Sequence, residues 1–426
     1  MNLKVMPVFL GTEKDKARAI LETVKEVVPA HVELTQETFL KSWEDLPDFQ
    51  EKLEGVDAIL ELTENIRPIP VRFFIRLGDF GLPLVLYGGD YTVAPRRLEA
   101  TGYWKSRGLR VYFALKQADL RDQLGLLAAK HRIEHTRALQ IGSRFNSPYV
   151  VTSSPDPKVA LRALGVEIHF CERARYLHYH EAAEADQVSS LVKEWTGEAK
   201  RIVEPTDQDL AKSARFYVGI KRLLEEHGAG AVAISCLPLV EEIQGTPCLA
   251  LVRLNDEGIP AACEGDLTAL MTMIFMERLA NRPGFMGNII YANPDENVIE
   301  VNHCVLPFRM GGYDEPPKPY LLRDYHARGM GACAAYEPEV GITVTLARFD
   351  NQFREMVFLR GQLVGYGENY CRTNMRVKVP DARAFIEQAR GNHHILVYGD
   401  QCERIRALCE EFGITAVPID SSGQGA

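Results

Sequence analysis

The chain has 426 residues, of which 46% are hydrophobic and 25% charged, and its formal net charge is −9. This length allows two or three domains, and the composition is that of an ordinary globular protein. The acidic balance argues against nucleic-acid binding, because neutralising phosphates requires a basic surface. No run of about 18 apolar residues is present, so the sequence predicts no membrane-spanning helix.

The cysteines and the N-terminal segment indicate the compartment. Nine scattered cysteines form no CxxC pair, whereas a secreted disulfide framework is denser and even in number. Residues 3–10 form an apolar run that leads directly into a charged helical pattern, without the small-residue cleavage site of a signal peptide. We therefore expect a first strand there, and a reduced, cytoplasmic protein.

The first 136 residues predict an α/β domain. Apolar runs of strand length at 3–10, 56–62 and 82–91 alternate with segments of helical periodicity. This βαβ pattern is typical of a doubly wound parallel sheet.

A second α/β domain is predicted over residues 137–298. A strand opens it at 137–145, and a long helix is expected at 207–226. Residues 247–254 and 259–266 are interpreted as two strands that flank a turn. The strongly apolar segment that follows, 267–281, has the length of a helix.

Residues 299–426 predict a C-terminal antiparallel β domain. Strand-length segments rich in Thr, Val and Gly occur at 341–349, 356–367 and 375–379. The chain then returns to an α/β pattern at its end. The predicted fold class is thus two Rossmann-like, doubly wound domains followed by an antiparallel β domain.

The sequence CEGD carries the densest set of candidate functional groups. Glu264 and Asp266 end a predicted strand and open an apolar helix, which is where ligands bind in open α/β sheets. Two carboxylates there suit a hard divalent cation or a general acid/base pair. Asp266 also suits an ordinary helix N-cap, whereas a charge such as Glu264 is costly beside a buried strand unless it is paired or metal-bound.

Weaker candidates lie further along the chain. His303 follows a strand-like segment, and only one of His393 and His394 can face a given site, because neighbouring strand residues alternate. His326 and Arg372 stand at loop or strand edges, where each can reach a substrate or simply be solvated. A dinucleotide fingerprint, a Walker motif and a nucleophile elbow are all missing, which disfavours an NAD-dependent enzyme or a serine hydrolase.

In their order along the chain, the motifs CEGD, FMGN, NHC and NHH resemble the L-fucose/L-arabinose isomerase superfamily, in particular its shorter fucose-isomerase-like branch. The resemblance covers roughly residues 205–400 and is most specific at CLALVRLNDEGIPAACEGDLTALMTM. It implies two Rossmann-like domains and a C-terminal β domain, bound Mn²⁺ or a similar ion, and aldose–ketose interconversion through an ene-diol. It also implies a homotrimer or homohexamer with active sites between protomers.

The same resemblance assigns metal ligands residue by residue. The metal-binding glutamate of the family falls on Glu264, its C-terminal histidine on His393, and the additional histidine of the arabinose branch on His303. Its second acid falls on Asn288. An amide oxygen can coordinate Mn²⁺, but it cannot exchange a proton at neutral pH.

Glu264 is expected to combine metal ligation with proton transfer. Because Asn288 cannot exchange a proton, the second proton-transfer group is either Asp266 or His326. If Asp266 only caps the helix, Asp266→Asn should lower the free energy of unfolding by about 1 kcal/mol. If Asp266 is catalytic, the same substitution should lower the rate by about 10²-fold or more.

The sequence therefore predicts a metal-dependent isomerase of a deoxy, pentose or modified hexose sugar. Arg309, Arg372 and Asn392 are the predicted substrate-binding residues, and the two arginines suit either an anionic, for instance sulfonated, sugar or surface ion pairs. The alternative is a non-catalytic sugar-binding or regulatory protein on the same scaffold, which is favoured if Asn288 abolishes the chemistry.

Overall fold

The computed structural model describes residues 2–11, 14–143 and 150–420. The chain divides into two compact units, Met1–Arg132 and Ile133–Ala426. Among the described residues, no helix is both long and apolar enough to cross a membrane.

The first unit is built on a parallel sheet with strand order β2-β1-β4-β5-β6, and β3 also pairs with β1. Its strands are β1 Leu3–Leu10, β2 Val32–Leu34, β3 Thr38–Leu40, β4 Ala58–Glu61, β5 Leu84–Leu86 and β6 Val111–Phe113. Its helices are α1 Lys14–Lys25, α2 Leu46–Lys52, α3 Val71–Phe74, α4 Pro95–Ser106 and α5 Gln117–Glu134, with 3-10 turns at Trp43–Asp45 and Ile75–Phe80. Side chains of β1 enter two separate apolar clusters, one with Leu3 and Val5 and one with Met6 and Val8. A sheet covered on both faces explains why its strands are continuously apolar.

The second unit begins with a parallel sheet of order β11-β10-β7-β8. Its strands are β7 Arg137–Ile141, β8 Glu167–Cys171, β10 Ala231–Ile234 and β11 Ala261–Ala262, and β9 Arg201–Ile202 lies outside it. The helices of this part are α6 Val150–Ser153, α7 Pro157–Leu164, α8 Arg173–Glu181, α9 Ala185–Glu198, α10 Asp207–His227, α11 Cys236–Ile243, α12 Cys248–Asp256 and α13 Leu267–Ala280. Helix α13 is buried along nearly its whole length.

The rest of the second unit is an antiparallel sheet that closes into a barrel. Its strands follow the order β16-β19-β12-β13-β18-β17, and β16 also pairs with β17, which removes the open edges. The bounds are β12 Phe285–Asn293, β13 Val298–His303, β16 Thr343–Phe349, β17 Glu355–Tyr366, β18 Thr373–Lys378 and β19 His394–Tyr398. The strand β20 Thr415–Pro418 adds in parallel to β17, and the helices are α14 Ala382–Glu387 and α15 Cys402–Phe412. A smaller sheet joins β15 Cys333–Ala335, β14 Leu321–Arg323 and β9.

The predicted fold class, two doubly wound α/β domains followed by an antiparallel β domain, is confirmed. The long helix predicted at 207–226 is α10, with the Thr206 hydroxyl accepting a hydrogen bond from the Asp209 amide at its start. The sequence sets the boundary before the β domain at residue 298, whereas β12 of the barrel already begins at Phe285.

The prediction of two strands around a turn at 247–266 is wrong. Residues Cys248–Asp256 form helix α12, and only Ala261 and Ala262 of the second segment form a strand. A short apolar run does not distinguish a buried strand from a helix buried on every side, and Leu, Ala and Arg favour the helix. The buried Asn255 amide accepts from the backbone N–H of Ala261 (3.0 Å) and donates to its carbonyl (3.1 Å), which fixes the chain between helix and strand.

Candidate metal centre

Glu264 stands in a tight turn between β11 and α13. Its φ is +56°, in the left-handed region that non-glycine residues rarely adopt, and Gly265 follows at +65°. A Cβ on Gly265 would lie 2.6 Å from the Ser235 hydroxyl, so glycine is required there. Strained backbone of this kind concentrates at functional sites, where the surrounding structure holds it in place.

Two histidines of the barrel meet Glu264. The Nε2 of His303, at the end of β13, lies 3.6 Å from Oε1 of Glu264, and the Nε2 of His393, just before β19, lies 3.6 Å from Oε2. The ligand atoms of the three residues all lie within 4.8 Å of one another. Both histidines are buried and Glu264 is partly exposed, so the cluster has the composition and burial of a possible metal-binding site.

The two histidines differ in which ring nitrogen carries the proton. The Nδ1 of His393 lies 2.9 Å from the carboxylate of Asp266, so it donates there and leaves a lone pair on Nε2. This carboxylate–histidine arrangement is the usual support for a metal ligand. The Nδ1 of His303 instead accepts from the backbone N–H of Cys304 at 2.9 Å, which places the proton of the neutral ring on Nε2. Ligation by Nε2 of the neutral His303 ring therefore requires that proton to move to Nδ1, with loss of the hydrogen bond from Cys304.

Asp266 is fully buried and all its interactions are accounted for by the fold. Its Oδ1 caps α13 by accepting from the backbone N–H of Ala269 at 2.7 Å, while Oδ2 meets His393 and, at 3.2 Å, the guanidinium of Arg348. Burial by itself raises the pKa of Asp266, but the charge of Arg348 and the hydrogen bond to His393 hold it well below its ordinary value. The carboxylate is thus kept ionised as a positioning group.

Arg348, on β16, is a residue that the sequence reasoning missed. Its side chain is fully buried, and besides Asp266 it donates to the carbonyls of His393 (2.6 Å), Arg390 (3.3 Å) and Thr152 (3.2 Å). A Cβ on Gly391 would lie 2.3 Å from Nε of Arg348, so the loop before His393 needs glycine there. The available signal was a lone arginine inside the apolar strand TVTLARF.

The charges inside the cluster stabilise one another. Burial raises the pKa of Glu264, but the hydrogen bond with His303 and the attraction of the His303 and His393 rings in their protonated form more than offset this and leave the pKa below its usual value. Burial lowers the pKa of His303, and the contact with Glu264 outweighs it, so that this pKa is raised. Glu264 is therefore an anion at neutral pH.

Asn288 and Asn392 are joined to each other. The Asn392 amide donates to Oδ1 of Asn288, and its own Oδ1 accepts from the backbone N–H of Ile289 at 3.2 Å. Asn392 thereby ties the segment that carries His393 to β12. The neighbouring His394 is buried against Phe385, with ring centroids 4.8 Å apart, so the two adjacent histidines do diverge.

The remaining predicted residues lie in other contacts. His326 packs against Cys371, with 3.4 Å between Nε2 and Sγ. Arg309 donates to the carbonyls of Tyr313 (3.0 Å) and Glu315 (2.7 Å).

Arg372 forms an ion pair with Asp324 and donates to its carbonyl at 2.9 Å. It lines a cavity of about 880 Å³ in the second unit, whose lining does not include Glu264, His303 or His393.

Comparisons with known proteins show what this chain is similar to. The family model of the L-arabinose isomerase central domain matches residues 148–281. A sulfoquinovose isomerase from Alkalicoccus urumqiensis is 23% identical over 227 residues, which is 50% of this chain and 50% of the relative. A sulfoquinovose isomerase from Clostridium sp. (strain MSTE9) is 25% identical over 214 residues, 47% of each. The chain matches about half the length of these curated relatives.

The family match and the two relatives confirm the resemblance to the L-fucose/L-arabinose isomerase superfamily that is seen in the sequence motifs. The segment that matches the family model contains Glu264 and Asp266. His303 and His393 lie beyond it, in the barrel.

We expect Asp266→Asn to cost far more stability than a cap substitution. Asparagine can still cap α13, but it leaves the buried Arg348 charge without its counter-ion, and breaking a buried pair costs about 3–5 kcal/mol. The estimate of about 1 kcal/mol from the sequence considered the cap alone. Urea denaturation, monitored by circular dichroism, measures the difference in the free energy of unfolding between the variant and the wild-type protein.

Asp381→Asn is the matched control. Asp381 caps α14 through the Ala384 amide at 2.9 Å, in a partly exposed position. Its substitution should change the free energy of unfolding by no more than about 0.5 kcal/mol. Equal losses in the two variants would show that the Arg348–Asp266 pair contributes nothing beyond the cap.

Proposed function

We propose that the protein is a metal-dependent sugar isomerase that interconverts an aldose and a ketose. The observation that carries this proposal is the convergence of Glu264, His303 and His393, with all their ligand atoms within 4.8 Å of one another. The superfamily, and the name that both relatives share, support isomerase chemistry on a sugar. The same names give no support to the alternative of a non-catalytic binding protein.

The donor set fits a divalent ion such as Mn²⁺. One carboxylate and two imidazoles combine hard oxygen with borderline nitrogen donors, and His393 presents the lone pair of Nε2 toward Glu264. When bound, the ion supplies Lewis-acid stabilisation of the negative charge that develops on the sugar oxygens during ene-diol formation. Asp266 and Arg348 hold His393 in the orientation that ligation needs.

Glu264 is the residue best placed to move the substrate proton. Isomerisation moves one proton between two neighbouring carbons and a second proton between their oxygens, and the transfer between the carbons requires a base. Glu264 is ionised, partly exposed, and has one oxygen toward each histidine. We infer that it serves both as a ligand and as a single base acting on one face of the ene-diol.

A single base also accounts for Asn288. In this proposal neither Asp266 nor His326 completes a two-residue relay, because Asp266 is held ionised by Arg348 and His326 packs against Cys371. Asn288 then does not have to exchange a proton with the substrate. Its amide can instead position the neighbouring segment, as its hydrogen bond with Asn392 indicates.

The proposal extends to the class of sugar that the protein converts. Both relatives are named for sulfoquinovose, so an anionic, sulfonated aldohexose is the first sugar to test, beside deoxyhexoses and pentoses. Arg372 stays a candidate for an anionic group, since it lines the 880 Å³ cavity together with Arg282 and Arg323.

Turnover should depend on the metal and on Glu264. Treatment with EDTA should abolish aldose–ketose conversion, and addition of Mn²⁺ should restore it. The conversion of each sugar in a panel is measured by NMR. Because protons compete for the histidine nitrogens, Mn²⁺ affinity should fall as the pH is lowered. Glu264→Gln should reduce kcat by at least about 10²-fold.

Glu241→Gln, at an exposed position on α11, is the matched control and should keep wild-type turnover. Full activity of metal-free protein, or wild-type turnover by Glu264→Gln, would refute the proposed chemistry.

We further propose a homotrimer or homohexamer with active sites between protomers, in a cytoplasmic protein. Closed cyclic or dihedral symmetry is the usual form of such assemblies. Light scattering on an active preparation should give three or six times the 47.8 kDa of the chain. A fully active monomer would contradict this assembly.

A further inference from the structure

A second group of potential metal ligands lies next to the first along the chain. Sγ of Cys304, Sγ of Cys371 and a ring nitrogen of His326 all lie within 4.8 Å of one another. Cys304 directly follows His303, and its side chain is buried, whereas Cys371 and His326 are partly exposed. The proposed isomerase chemistry makes no use of these two thiols.

The three ligands come from separate segments that the fold brings together. Cys304 follows β13 and Cys371 precedes β18, and these strands pair with His303 opposite Thr373. His326 lies on the loop between β14 and β15. Pairing of the strand ends therefore places the two thiols near each other regardless of any ligand.

The loop that carries His326 is held firmly against the Cys371 segment. Asp324 accepts from the backbone N–H of Gly329 at 2.6 Å and pairs with Arg372, the residue after Cys371. The Tyr325 ring stacks on the His326 ring, with centroids 3.8 Å apart and planes 18° apart. The imidazole is thus fixed in position as well as brought near.

The backbone at His326 is strained. His326 and Ala327 have φ of +53° and +56°, so two consecutive non-glycine residues occupy the left-handed region. Strain of this kind persists where the surroundings fix a side chain in a required place. Here the strained residue directs Nε2 to within 3.4 Å of Sγ of Cys371.

Other thiols surround the group. The thiols of Cys248, Cys304 and Cys333 interact electrostatically with one another. All nine cysteines of the chain are free thiols. The donor atoms at this place are thus sulfur and nitrogen, whereas the Glu264 site offers oxygen and nitrogen, and soft thiolates select different ions from carboxylates.

We propose that Cys304, His326 and Cys371 form a second metal site, specific for a thiophilic ion such as Zn²⁺. Two cysteines and one histidine are an established ligand set for tetrahedral Zn²⁺ with one further position. Occupation of the site would link the β14–β15 loop to the ends of β13 and β18, beside His303. The second ion would therefore brace the segment that holds one ligand of the isomerase site.

Co²⁺ is the probe, because thiolate ligands give it an intense near-ultraviolet charge-transfer band that carboxylate and imidazole ligands do not give. The full-length, reduced protein is first saturated with Mn²⁺ and then titrated with Co²⁺ alone. We expect the thiolate band to saturate at one Co²⁺ per chain and Zn²⁺ to displace it. Cys371→Ser should abolish the band, and His326→Ala should weaken Co²⁺ binding at least about tenfold.

Two variants keep the result specific. Cys402→Ser removes a partly exposed thiol on α15 and should leave the band unchanged. Glu264→Gln should also retain it, so a failure of the isomerase proposal would not affect this test. No thiolate band in fully reduced wild-type protein, or an undiminished band in Cys371→Ser combined with His326→Ala, would overturn the second site. A disulfide between Cys304 and Cys371, found without bound metal in protein purified under reducing conditions, would overturn it as well.

Discussion

The arrangement of this site depends on one buried carboxylate. Asp266 begins the buried helix α13, and from that position it meets Arg348 and His393 of the barrel. An isolated charge cannot be buried without a large penalty, so the barrel has to supply a cation and a hydrogen-bond donor at that point. The same contacts fix the ring of His393. The contacts that stabilise the buried charge of Asp266 in the second unit are therefore the same contacts that orient a proposed metal ligand.

The chemistry is divided between the two parts of the second unit. The parallel sheet and α13 contribute Glu264 on a strained turn, and the barrel contributes His303 and His393. Arg348 connects them, because it also binds the carbonyl of His393. This division explains why a match to a central domain ending at residue 281 contains the carboxylate and not the histidines. A protein with that domain alone would lack two of the three converging donors.

Much of the fold was predictable because its signals are local. The apolar run of β1 and the capped helix α10 follow directly from strand length, periodicity and capping residues. Helix α12 was mistaken for a strand because seven of its nine residues are buried, which obscures the periodicity that distinguishes the two. Glu264 stood out as an unexplained charge beside a buried strand. Arg348 did not, because its partner Asp266 is 82 residues away, and pairing at such a distance is set by the tertiary fold.

The most direct test of the central claim is the position of the bound ion. Anomalous diffraction from crystals grown with Mn²⁺ should give a peak within bonding distance of Glu264, His303 and His393, with the Nδ1 of His393 still on Asp266. Ligand distances of about 2.0–2.3 Å are expected for such an ion. A peak that contacts neither histidine, or no peak at a concentration that supports turnover, would contradict the account.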